Sequence, residues 1–331
     1  MATAPAADSL AATNAAAAAV RIPASFFAMV LGLGSLAAAW RSASRAYATS
    51  PWLGDALLAV SAALWIAFFA AQVVKAVTAP GKLRAELEHP VEGSLAALAP
   101  ASLLVLAAGL FVHYRQLAEV LFWLGAAWQL VHAVWVAGLW MSRSVEPKLV
   151  TPALYLPASV GNLLAAAAAG TVGRTELGWL FFGAGVVSWL VIGAVLLVRQ
   201  LSEGELAPAL RPLLGVELAP PAFALAAWIT LERSDATARA LLGAALFVAL
   251  VLLRLAGRFR DVPFTSAAWA FAYPVVALSG ATLRMASSTP KSLAADLALP
   301  LFVVANALVA AVAYKTVVAL ARGKLLPPAQ R

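Results

Sequence analysis

Ten long, mostly apolar runs follow one another along this chain, and runs of that length have one common use. At 1.5 Å per residue, about 20 residues of helix cross the hydrocarbon core of a bilayer. The runs cover 22–40, 52–78, 94–112, 116–140, 152–170, 176–200, 214–232, 237–257, 264–286 and 292–321. Lipid offers no partner for backbone N–H and C=O groups, so each run is expected to bond internally as a helix. The composition agrees: of 331 residues, 63% are hydrophobic and 11% charged, against roughly 45–50% and 25% in a soluble domain. The expected fold class is all-α integral membrane, with ten transmembrane helices.

The connectors suggest how those helices pair. HYR (113–115), TVGRT (171–175) and RSDA (233–236) are very short, and short turns force antiparallel neighbours. The longer linkers at 79–93, 141–151 and 199–213 then separate helical hairpins, five in all. The first twenty residues are alanine-rich with no basic segment before them. They are expected to be a disordered tail rather than a signal peptide, with residues 21–325 as the membrane domain and 326–331 as a C-terminal tail.

The formal charge of +8 is scattered singly between apolar runs, which fits membrane topology and not nucleic-acid binding. Alternating the ten spans places fifteen lysines and arginines on the side of both termini and eight on the other, together the 23 in the chain. The positive-inside rule then makes both termini cytoplasmic, in an inner membrane. Trp40, Trp52, Trp140 and Trp179 fall near span ends, where aromatic rings sit at the bilayer interface.

Proline marks the odd-numbered spans. Pro23 opens the first, Pro100 lies in the third, Pro157 in the fifth, Pro220 and Pro221 in the seventh and Pro274 in the ninth. Of the even spans only the tenth carries one, Pro300. A proline inside a helix frees a carbonyl, and in lipid that carbonyl costs several kcal/mol unless protein or water meets it. The proline-bearing spans are therefore expected inside, around a central pore, with the even spans as an outer wall.

Chemistry in that interior is sparse. Asp55, Glu119, Glu176, Glu217, Glu232 and Asp296 fall near span ends and read as solvated or helix-terminal charges. His132 is the one histidine well inside a span and is expected to be bonded between helices. The chain has no cysteine, no His and acid cluster with metal spacing, and no serine with a credible histidine partner. LGLGSL (31–36) and FGAGVV (182–187) do not complete a phosphate-binding glycine pattern, and their glycines suit close helix packing. No enzyme, metal or cofactor is expected. A pore of apolar helices with few buried carboxylates and basic mouths suits passive passage of small anions.

Several stretches carry a resemblance: PASFFAMVLGLGSLAAAW (23–40), PALYLPASVGN (152–162), LGWLFFGAGVVSWL (177–190), LLRL (252–255) and WAFAYPVVALSGAT (269–282). In order from about residue 20 to 325, the chain resembles the tellurite-resistance and dicarboxylate transporter family, to which the plant guard-cell slow anion channel is related. The resemblance implies five hairpins around a pore, a homotrimer with one pore per subunit, and conduction of small monovalent anions. It also implies an aromatic plug on the ninth helix, usually phenylalanine. Here that role falls on Tyr273, with Phe271 as runner-up about 200° around the helix.

Ala28 matches a position that must stay small beside the pore. Gly193 and Ala194 stand where the bacterial relative has an acidic residue and a proline. Ala28, Leu31, Leu103, Pro157, Pro220 and Pro274 are the expected pore lining. The Tyr273 hydroxyl is expected to find a helix carbonyl or a passing anion. The rival readings are a secondary transporter of dicarboxylate, sulfite or tellurite-type oxyanions, and a membrane interaction protein with a closed core.

Overall fold

The computed structural model describes residues 20–232, 234–259 and 261–326. The tail expected over 1–20 lies outside them up to residue 19, as does most of the short C-terminal tail. Among the described residues ten helices are long and apolar enough to cross a membrane. They are α1 (Ala24–Tyr47), α2 (Trp52–Thr78), α3 (Pro90–Leu110), α4 (Arg115–Ser142), α5 (Pro152–Thr171), α6 (Thr175–Ser202), α7 (Pro208–Leu231), α8 (Ala236–Arg254), α9 (Ser266–Ser288) and α10 (Leu293–Ala321). The chain is a multi-pass membrane protein.

Consecutive spans pack as hairpins, and the odd spans close a ring in the order α1, α3, α5, α7, α9 and back to α1. Burial separates the two sets. Within the most apolar window of each odd span 67% to 83% of residues are buried, against 17% to 39% for the even spans. The inward placement expected from the prolines is what the fold adopts.

The inner helices are irregular where the outer ones are not. Each of α1, α5, α7 and α9 opens in a 3₁₀ turn, α5 continues through a π segment over Leu156–Val160, and α3 is interrupted at Ala97. Each even span is one unbroken α-helix. Irregular backbone at membrane depth survives only where protein surrounds it, and the outer helices supply the missing partners. Gln129 Nε2 of α4 donates to the Pro157 carbonyl at 2.7 Å, and His132 Nε2 of α4 to the Gly93 carbonyl at 2.9 Å. Ser61 and Trp65 of α2 donate to the carbonyls of Val30 and Ala99. His132 thus has the interhelical role expected of it.

Two expectations need correction. The third and seventh spans begin at Pro90 and Pro208, not 94 and 214, and the first ends at Tyr47, not 40, because the added segments carry Glu92, Arg211, and Arg41 with Arg45, which dilute the apolar signal. Glu217 consequently lies well inside α7, half-buried, accepting from Gln200 Nε2 at 2.9 Å. Pro274 also leaves the α-helix over Trp269–Ser288 unbroken. The carbonyl it cannot bond, that of Ala270, packs against Gly215 of α7, where a Cβ would stand only 2.7 Å from that oxygen. Pro300 faces outward.

The turn from α7 to α8 is held by Asp235, whose carboxylate accepts from the Ala238 amide and the Trp228 indole, both at 2.9 Å. Those donors, the Ala238 amide first, keep its carboxyl below the usual range. A depressed folded-state pKa stabilises above the unfolded value and is lost as pH falls through the folded one. Asp235→Ala is therefore expected to lower the melting temperature at pH 7, with the difference from wild type closing in strong acid.

Candidate functional site

Two cavities lie among the inner helices. The larger, about 590 Å³, is bordered by all five: Ser35 and Ser42 of α1, Val105 of α3, Thr171 of α5, Phe223 and Thr230 of α7, and Ala277 and Arg284 of α9 are examples. The smaller, about 130 Å³, is bordered by Ser25 and Ala28 of α1, Glu92 and Leu98 of α3, Leu213 and Val216 of α7, and Ala270 and Tyr273 of α9. On α9 the bordering positions are 266, 267, 270, 273, 276, 277, 280, 281 and 284. Steps of three and four keep to one helix face, so a single face of α9 passes through both cavities. They therefore lie in line, the smaller toward the N-terminal ends of the inner helices and the larger toward their C-terminal ends.

Between them stand two aromatic rings. Phe223 borders the larger cavity and Tyr273 the smaller, and their rings stack at 6.3 Å between centroids and 24° between planes. Tyr273 is 1% exposed, and its hydroxyl has no partner among the described residues. No carbonyl among the described residues accepts from it.

The other expected residues divide. Ala28 borders the smaller cavity. Leu31 and Pro220 border neither, but on α1 and α7 they fall at the three- and four-residue step between positions bordering one cavity and positions bordering the other, the level of the ring pair. Leu103, Pro157 and Pro274 also border neither; it is Leu104 that borders the larger cavity. Phe271 points elsewhere. Its ring meets Phe259 edge-on at 4.8 Å, as expected of a side chain two positions from Tyr273.

Charge is concentrated at the larger cavity, which Arg41, Arg45, Arg284, Asp55 and His113 border. Asp55 is held by Arg41 Nη2 at 2.7 Å and His113 Nε2 at 3.1 Å. Arg41 also donates to the Gly109 carbonyl. The smaller cavity carries one acid, Glu92. Among the described residues no group of three His, Asp or Glu side chains is placed to hold a metal ion.

Comparison with known proteins fits this architecture. The model of the SLAC1 family, described as voltage-dependent anion channel, matches residues 21–317. The chain belongs to the SLAC1 family. Among its relatives are a protein named tellurite resistance protein TehA homolog from Haemophilus influenzae, 30% identical over 261 residues covering 78% of this chain and 79% of the relative, and the S-type anion channel SLAH3 of Arabidopsis thaliana, 25% identical over 308 residues covering 90% and 48%. The guard cell S-type anion channel SLAC1 of the same plant is 28% identical over 177 residues, 53% of this chain and 32% of its own length. The chain thus spans half or less of these plant channels.

Phe223, Arg41, Arg45, His113, Arg284 and Glu92 border these cavities without having been singled out from the sequence. Arg284 carried a usable signal, since it lies eleven residues past Tyr273. That is about three turns, on the same helix face.

Proposed function

We propose that this protein conducts small monovalent anions, chloride or nitrate-like, down their gradient along the axis of the five inner helices, with Tyr273 as the gate. It assembles as a homotrimer with one path per subunit, in an inner membrane with both termini cytoplasmic. The observation that carries this reading is the pair of cavities in line, divided by the Tyr273 and Phe223 rings. Family membership supplies the anion, and the chemistry of the walls suits it. The cavities are bordered mostly by small apolar side chains, and the larger carries three arginines against one carboxylate already bonded to Arg41 and His113. Weak, smooth walls favour passage over retention, and cationic mouths raise the local anion concentration.

The transporter alternative needs a proton-carrying group on the path. His132 is committed to the Gly93 carbonyl and Glu217 borders neither cavity, which leaves Glu92 beside the smaller cavity and the Asp55 and His113 pair, held by Arg41, beside the larger. The test uses the Tyr273→Ala variant in planar bilayers under a chloride gradient. The current is expected to reverse near the chloride equilibrium potential and to be indifferent to an imposed pH gradient. Silence, together with pH-driven anion uptake into liposomes, overturns the channel reading.

A further inference from the structure

Arg284 is a cation without a counter-charge. Of its five N–H donors, one from Nη2 reaches the Ala226 carbonyl at 3.3 Å, while Nε is enclosed with no acceptor. Among the described residues no carboxylate lies within ion-pairing distance of it. Asp55, the acid bordering the same cavity, is taken by Arg41 and His113. Arg45 borders that cavity too and is close enough to act on Arg284 electrostatically. Two like charges therefore share one cavity, Arg284 one turn inside the C-terminal end of α9 and Arg45 at the C-terminal end of α1. The hydroxyls around them do not help, since those of Ser42, Thr171 and Thr230 each donate back to a carbonyl of their own helix. Besides the Ser35 hydroxyl and the His113 ring, which meets Asp55, the arginines are the side-chain hydrogen-bond donors bordering this cavity that are left to meet a ligand.

We propose that Arg284, assisted by Arg45, forms a resident anion site in the larger cavity, selective for a small inorganic oxyanion such as nitrate over a halide. The preference follows from shape. A guanidinium presents parallel N–H groups in a fixed fork that two oxygens of one anion can meet together, whereas a spherical halide cannot use the fork in that way. The site rests on the reading of the cavities as an anion path and adds a place on that path where the anion pauses, on the C-terminal side of the Tyr273 and Phe223 rings.

The test is equilibrium binding, independent of conduction. Purified protein in nanodiscs is melted in nitrate, chloride or gluconate at matched ionic strength. The wild-type melting temperature is expected to rise saturably with nitrate, and less with chloride. Arg284→Gln should weaken the nitrate effect by about tenfold or more, as loss of a charge-assisted contact does, while melting in gluconate no lower than wild type because the uncompensated charge is gone. Arg284→Lys should keep anion binding but lose the preference for nitrate. Should Arg284→Gln not fold, Arg45→Gln at the exposed helix end replaces it, with weaker nitrate binding expected. A wild type with no saturable nitrate effect, or variants that keep it unchanged, overturns the site. Anion current through Tyr273→Ala with unaltered nitrate binding in Arg284→Gln removes the site and leaves conduction standing. Nitrate binding lost in Arg284→Gln while Tyr273→Ala stays silent does the reverse.

Discussion

Tyr273→Ala is expected to turn a nearly silent protein into a conducting one. In planar bilayers under a chloride gradient the wild type should pass little current, since the Tyr273 ring is buried and backed by Phe223. Truncation joins the two cavities. If clearing the ring lowers the barrier by about 3 kcal/mol, anion flux rises about 100-fold. Phe223→Ala alone should do less, because the tyrosine ring still closes the smaller cavity, and the double variant should conduct most. Stability moves the other way, since removing a buried aromatic side chain costs about 3–5 kcal/mol. Tyr273→Phe separates size from polarity. It keeps the plug and should stay silent, yet it removes a hydroxyl that is enclosed without a partner, for a gain of about 1 kcal/mol in stability. A folded Tyr273→Ala that conducts no better than wild type sinks the gate.

What the chain reveals in advance follows from where its chemistry is directional. The alternation of Pro100, Pro157, Pro220 and Pro274 with proline-poor spans was enough to sort inner helices from outer, because an unbonded carbonyl has few tolerable surroundings in lipid. The facing of each inner helix was not legible. The α-helical part of α7, Ala219–Leu231, is apolar and mostly buried, so no polar stripe tells which residue looks along the axis. Phe223, inside AFALAAW, is invisible for that reason, and so are Leu103 and Pro274, whose neighbours Leu104 and Tyr273 border the cavities instead. Tyr273 was reached through resemblance to a family and not through periodicity. Glu217 was read as an end charge because hydropathy locates span ends only to within a few residues, and it lies deeper than that reading placed it.

Gly161→Ala is expected to be among the most damaging single-methyl changes in the protein, and Gln129→Ala is expected to rescue part of it. Gly161 opens the α-helical part of α5 directly after the π segment, and the Gln129 amide of α4 occupies the space where its Cβ would stand. That amide is there because Nε2 donates to the Pro157 carbonyl at 2.7 Å in the irregular turn. An alanine at 161 therefore forces Gln129 to retreat, and retreat releases the Pro157 carbonyl within the membrane. A buried polar group left unpaired costs about 1–3 kcal/mol, to which overpacking adds about 1–3 kcal/mol. Gln129→Ala alone loses the same hydrogen bond and leaves a cavity, a comparable cost. In the double variant the new methyl enters the space vacated by the amide, so the two penalties overlap and the sum falls short of additivity by about 1–3 kcal/mol. Thermal melting of the three variants in detergent or nanodiscs measures this, and strictly additive losses would show that Gln129 and Gly161 do not share the duty of closing the break at Pro157.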